Sequence, residues 1–158
     1  MKNNKIVVKT KSKSYPIYLG DGIINTTGKL IQKNLPNVKK ICLISDENIP
    51  LILLKKLKKS LKKYNLKVYK LSLKEKTKNF KVAYKLIENL LKDNFNRSDC
   101  IIALGGGVLG DLSAFISSLI KRGVKFINIP TTLLAQSDAS VGGKTAVNSN
   151  QGKNLIGT

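Results

Sequence analysis

The apolar positions of this chain fall into two alternating rhythms. Brief apolar runs rich in strand-forming residues stand at 5–9 and 15–19, then at 39–45 ("KKICLIS"), 66–71, 99–104 and 125–129. Between the later runs, apolar residues return every three or four positions, the spacing that gathers them on one side of a helix. The clearest case follows Pro50. There Leu51, Leu54, Leu57, Leu61 and Tyr64 make a core-facing stripe with lysines on the other side, and proline suits the opening of a helix. Further helices are expected over 23–34, ending before Pro36, over 79–92 and over 108–120. The first two runs, followed by a "GDG" turn at 20–22, read as an opening strand pair.

This alternation predicts an α/β fold. Its centre is a Rossmann-like, mainly parallel sheet with helices on both faces, preceded by the short N-terminal strand pair. Such crossovers bring every strand's carboxyl end to one rim, where open α/β sheets bind ligands. After Pro130 the rhythm dissolves into a polar, glycine-rich stretch. Residues 1–158 are therefore expected to form one domain that ends in a long functional loop over about 131–158, of which residues 137–158 would be poorly ordered unless a partner covers them.

A length of 158 residues is enough for a single core, and the apolar fraction of 42% suits a globular chain. No apolar run approaches the roughly 20 residues that cross a bilayer, and the run at 6–8 is too short for a signal segment. Cys42 and Cys100 both lie inside apolar runs and read as buried thiols of a reducing compartment. The cytoplasm is the expected location, with no membrane partner.

The net charge of +20 raises the question of nucleic acid. Its distribution argues against a dedicated face. Residues 1–100 hold 24 Lys+Arg against 7 Asp+Glu, and residues 101–158 hold 5 against 2. All but Arg97 and Arg122 are lysines, whereas base reading and phosphate clamping favour the bidentate guanidinium. Scattered lysines on a solvated surface predict only weak, salt-sensitive polyanion binding and no specific nucleic-acid partner.

Two motifs remain. "GGGVLG" at 105–110 satisfies G-x-G-x-x-G between a strand and a helix, where backbone N–H groups can approach a pyrophosphate. A tight turn also wants glycine, and the ribose-holding acid expected about 20 residues later is replaced by Pro130. Asp111, one turn further on, is either a dipole-favoured surface acid or a polar contact to that ligand. "DASVGGKT" at 138–145 ends like a phosphate loop but has Asp138 where glycine is required, and no strand precedes it. What remains is Lys144 and Lys153, each beside glycines, with Asp138, Asn148 and Asn154 nearby. Only four lysines lie beyond residue 100, so these two stand apart from the general excess. The chain has no histidine, which excludes a Ser-His-Asp site and histidine metal ligands.

Taken together, "ALGGGVLGDLSAF", "KRGVKFINIPTTLLAQSDASVGGKTAVN" and "GKNLIG" closely resemble the 3-dehydroquinate synthase family, nearly without gaps over 101–157. "LISDEN" and Glu75 with Lys78 carry a looser likeness further back. The resemblance implies the N-terminal, NAD-binding half of that family. Its reaction converts 3-deoxy-arabino-heptulosonate 7-phosphate, a phosphorylated sugar acid, into 3-dehydroquinate plus phosphate in the shikimate pathway. NAD takes part transiently.

By the same resemblance, Gly106, Gly107 and Val108, with Leu109 and Gly110 beside them, would line the pyrophosphate. Asp111, Thr131 and Thr132 would flank the cofactor. Asp46 and Asn48 would lie at its adenosine end, and Glu75 and Lys78 at a ribose. Asp138, Lys144, Lys153 and Asn154 would grip the substrate, the two lysines also near the nicotinamide. Arg122 would reach the substrate phosphate of a neighbouring subunit in a homodimer.

Two departures stand out. Lys74 occupies a position where the family has glycine, ahead of Glu75. The family's divalent metal, zinc or cobalt, is held by a glutamate and two histidines of an all-helical C-terminal domain that this sequence lacks. The expectation is a truncated or split synthase, not competent alone, that pairs with a separately encoded C-terminal half. A related sugar-phosphate cyclase or polyol dehydrogenase half, an inactive remnant and a nonspecific polyanion binder are the alternatives.

Overall fold

Every residue of one strand, Cys100–Gly105, is buried, as the continuous apolar run at that point requires of a strand covered on both faces. The computed structural model describes residues 4–10, 14–72 and 74–158. In chain order the elements are β1 (Asn4–Lys9), β2 (Ser14–Leu19), α1 (Thr27–Asn34), β3 (Lys40–Asp46), α2 (Leu51–Ser60), β4 (Asn65–Leu71), α3 (Phe80–Lys92), β5 (Cys100–Gly105), α4 (Gly107–Leu119), β6 (Lys125–Pro130), β7 (Ala146–Ser149) and β8 (Gly152–Gly157). Four of them, in the order β4-β3-β5-β6, form an all-parallel sheet.

The period-two alternation of a strand divides the core in two. Ile41, Leu43, Cys100, Ile102 and Leu104 pack with Ile31, Leu54, Leu57 and Leu61 of the α1–α2 side. Cys42, Ile44, Ile101 and Ala103 face the other way, onto Leu86, Leu90, Leu112, Phe115 and Ile116 of α3 and α4. Helices on both faces are thus as expected, and β1 pairs with β2 antiparallel as a separate ribbon.

The helix expected over 23–34 starts late. Residues Ile23–Thr26 form a tighter 3-10 turn before α1. Thr26 and Thr27 hydroxyls donate to the carbonyls of Ile23 and Ile24 at 2.8 and 3.1 Å, local bonds that compete with regular helix. Gly28 then lets α1 meet α2 backbone to backbone: a Cβ there would lie 2.0 Å from the Ser60 carbonyl oxygen.

The largest correction lies beyond Pro130. In place of the expected long loop, a single π-helical turn at Ala135–Ala139 precedes an antiparallel hairpin, β7–β8. Val147 of β7 is fully buried in the α3–α4 side of the core, and the Asn148 N–H donates to the Lys78 carbonyl at 2.8 Å. Those two contacts tie the stretch to the domain. Among the described residues no helix is long and apolar enough to cross a membrane.

Candidate functional site

The chain passes from β3 outward to β4, then returns to place β5 on the other side of β3. The carboxyl ends of β3 and β5 therefore flank the topological switch point, the crevice that α/β sheets offer to ligands. Asp46 ends β3 and Gly105 ends β5. The Asp46 carboxylate accepts from the Asn48 N–H at 2.8 Å, which holds both residues in one turn.

At the head of α4, Gly106 is the N-cap and provides no side-chain cap to the helix. Its backbone is extended (φ −79, ψ −177), a conformation open to any residue. A Cβ at Gly106 would approach only Thr132, at 3.4 Å, and one at Gly107 only Ala139, at 3.4 Å. Packing thus tolerates a methyl group at both positions. The effect of glycine here is to leave the first-turn N–H groups of α4 uncovered, where the helix dipole adds positive potential. Thr131 continues from β6, its N–H donating to the Gly105 carbonyl at 2.9 Å. Thr132 caps the next turn by accepting from the Ala135 N–H at 3.2 Å.

Beyond β4, Glu75–Thr77 form a 3-10 turn. The Thr77 hydroxyl accepts from the Lys74 N–H at 2.9 Å and donates to the Lys74 carbonyl at 2.7 Å. Lys74 is extended (φ −109, ψ 161), so this turn forms without glycine at that position. Lys78 follows and is 2% exposed, the one buried lysine among the described residues. Its ammonium donates to Asp111 Oδ2 at 2.7 Å and to Asn154 Oδ1 at 2.6 Å. The expectation that Lys78 meets a ribose is thus set beside an observed role: it joins α4 to β8.

β7 and β8 pair Val147 with Ile156 and Ser149 with Gly152, so Asn148 alone faces Lys153, Asn154 and Leu155. The bulge turns that corner outward, the usual effect of an unpaired insertion beside a site. Asn154 adopts φ 58, which asparagine tolerates better than most residues. Lys144, Lys153 and Asp138 are exposed, the last within the π-helical turn. Arg122 does not join them. It lies in the turn after α4 with φ 61, exposed, at the end of a 13-residue helix that starts at the glycines.

Two further residues belong to this rim. Tyr15 of β2 accepts from the Gly142 N–H at 3.1 Å and so braces the Gly142–Gly143–Lys144 turn. Asn148 bonds to three residues, Glu75 and Lys78 after β4 and Asn154 of β8. The sequence places Asn148 near Lys144 and Lys153 but shows no sign of its bonds to Glu75 and Lys78. The "GGKT" stretch leads into strand β7 rather than a helix, against a phosphate loop. Among the described residues no three His, Cys, Asp or Glu side chains cluster to hold a metal.

A glycine-headed helix at the switch point, an acid at the end of one flanking strand and a bulged hairpin across the rim define a doubly wound α/β domain with a ligand crevice. Comparison with known proteins narrows this class. The family described as 3-dehydroquinate synthase N-terminal matches residues 68–158, and the chain belongs to that family. The 3-dehydroquinate synthase of Pelagibacter ubique (strain HTCC1062) is 46% identical over 154 residues, covering 98% of this chain and 42% of its relative. The chain thus spans less than half the length of that relative. Among solved structures, 2-deoxy-scyllo-inosose synthase complexed with carbaglucose-6-phosphate, NAD+ and Co2+ superposes with a TM-score of 0.88 at 24% identity, over 98% of this chain and 43% of that one. The fold is likewise shared with 2-epi-5-epi-valiolone synthase from Streptomyces hygroscopicus subsp. jinggangensis 5008 with NAD+ and Zn2+ bound. There the TM-score is 0.67 at 26% identity, over 77% of this chain and 34% of that one.

Proposed function

We propose that this chain is the NAD-binding half of a cytoplasmic 3-dehydroquinate synthase. In this reading it acts on 3-deoxy-arabino-heptulosonate 7-phosphate and needs a helical C-terminal half for turnover. The observation that carries the reading is the uncapped head of α4, where Gly106 and Gly107 are glycine without any packing need for it. Such a cradle suits a pyrophosphate.

The residues around it fit the rest of a dinucleotide. Asp46 and Asn48 stand at one end of the crevice, Glu75 supplies a carboxylate for ribose hydroxyls, and Asp111, Thr131 and Thr132 line the glycine turn. Val108, Leu109 and Gly110 form the helix wall behind it. When bound, NAD takes up and returns a hydride. The chain's own residues bind and orient: Lys144 and Lys153 offer point charges to carboxylate or phosphate groups, and Asp138 and Asn154 offer hydrogen bonds to hydroxyls. A zinc or cobalt ion has no ligand set among the described residues. In the family its ligands would come from the C-terminal half.

Arg122, remote from the rim along α4, is suited to meet the site of a second subunit in a homodimer. Leu133 and Leu134, 83% and 74% exposed, lie beside the crevice where a C-terminal half would pack. The test is calorimetric titration of the purified chain with NAD, then phosphate release from the heptulosonate phosphate with the C-terminal half added. The expected result is NAD binding by this chain alone and phosphate release only with both halves. Failure of NAD to bind would overturn the proposal.

A further inference from the structure

Asn148 spends both side-chain N–H donors on one end of the rim and accepts with its side-chain oxygen from the other. Its Nδ2 donates to the Glu75 carboxylate (Oε1, 2.8 Å) and to the Glu75 carbonyl (3.0 Å). Its Oδ1 accepts from the Asn154 N–H at 2.9 Å. Donor and acceptor cannot be exchanged, because Glu75 offers only acceptors here and the Asn154 amide only a donor. Asn154 in turn accepts from Lys78, which is paired with Asp111. A continuous chain of bonds therefore runs from the acid after β4, through one side chain, to the bulged corner that carries Lys153 and Asn154, and on to α4.

We propose that Asn148 is a positioning residue that couples nucleotide occupancy at Glu75 to the ordering of the Lys153–Asn154 corner. The proposal rests on the NAD-binding reading above. A ribose bonded to Glu75 fixes the carboxylate, the fixed carboxylate fixes the Asn148 amide, and that amide holds the Asn154 N–H. Binding at one end of the crevice then lowers the cost of ordering the other end, a coupling through conformational freedom that needs no displacement of the backbone.

The test uses the full chain and NAD as probe, with affinity read by calorimetry and the Asn154 amide read by NMR hydrogen exchange. In the wild type, NAD should slow exchange at Asn154. Asn148→Ala should weaken NAD binding about tenfold and leave the Asn154 amide fast-exchanging with or without NAD. Asn148→Asp separates coupling from mere support. It keeps the acceptor for Asn154 but sets a carboxylate against Glu75, so Asn154 should stay protected in the free chain and lose its response to NAD. That variant also decides the matter if Asn148→Ala does not fold. Wild-type affinity and an intact NAD response at Asn154 in both variants would overturn the coupling alone. A wild-type chain that does not bind NAD would overturn the NAD-binding reading and the coupling with it.

Discussion

The ammonium of Lys78 lies 2.7 Å from Asp111 Oδ2 and is almost wholly enclosed, whereas the Asp111 side chain keeps 27% of its surface in water. The two partners therefore differ in what their loss leaves behind. Asp111→Ala strands a buried charge with only Asn154 as partner and should destabilise the chain by about 2–3 kcal/mol. Lys78→Met keeps the volume and leaves a carboxylate that water can reach, and should cost less than about 1 kcal/mol. Urea unfolding of both variants checks the asymmetry, and equal losses would contradict it.

Glycines in this chain serve two different needs, and substitution separates them. Gly106→Ala and Gly107→Ala should fold with stability within about 1 kcal/mol of wild type, since each new methyl meets its neighbour at 3.4 Å. They should bind NAD at least about tenfold more weakly, because the methyl covers the approach to the backbone. Gly28→Ala should do the reverse. Its Cβ would sit 2.0 Å from the Ser60 carbonyl oxygen, forcing α1 from α2 at a cost of about 3 kcal/mol. Melting temperatures alongside NAD titrations give both readouts.

Burial pushes the Cys42 thiol up to about 12, with the Asp93 carboxylate adding to the effect. Burial also raises Cys100, still further. Thiolate, the reactive form, is scarce in both at neutral pH. A disulfide-exchange reagent at pH 8 should therefore label neither cysteine in the native chain and both after denaturation. Rapid native labelling would show that the centre of the sheet opens.

Asp93 hydrogen-bonds and pairs with Lys67 and accepts from the Tyr69 hydroxyl at 3.2 Å. The Lys67 partner, chiefly, holds its carboxyl below the ordinary 3.8. A carboxyl depressed in the folded state contributes stability above its unfolded value, and that contribution is lost as pH falls through the folded value. Wild type should therefore lose stability more steeply than Asp93→Asn as pH drops below about 4, with the two curves parallel from pH 5 to 7. Urea midpoints across that range decide it, and the effect is small because Lys67 is half exposed.

Much of this architecture was legible because buried parallel strands write themselves as unbroken apolar runs. Cys100–Gly105 and Lys40–Asp46 are of that kind, and the stripe from Leu51 to Leu61 marks its helix as plainly. The hairpin after residue 145 left no such trace. Only Val147 of β7 is buried, and β8 is exposed apart from the partly covered Gly152, so no alternation marks them as strands. Their pairing depends on Asn148 reaching Lys78 and Glu75, more than 60 positions away. Position in sequence could suggest Glu75, Lys78, Asp111 and Asn154 one by one. That they form a single bonded chain needed the fold.

The outer strands of the four-stranded sheet, β4 and β6, carry exposed lysines at Lys67, Lys70 and Lys125. An outer strand presents free N–H and C=O groups that invite another chain to pair, and lysine is an effective deterrent. The cationic excess, for which no specific nucleic-acid partner is expected, would act here as colloidal protection against edge-to-edge growth. Exhaustive lysine acetylation should therefore raise light scattering on storage before it changes the circular dichroism of the chain.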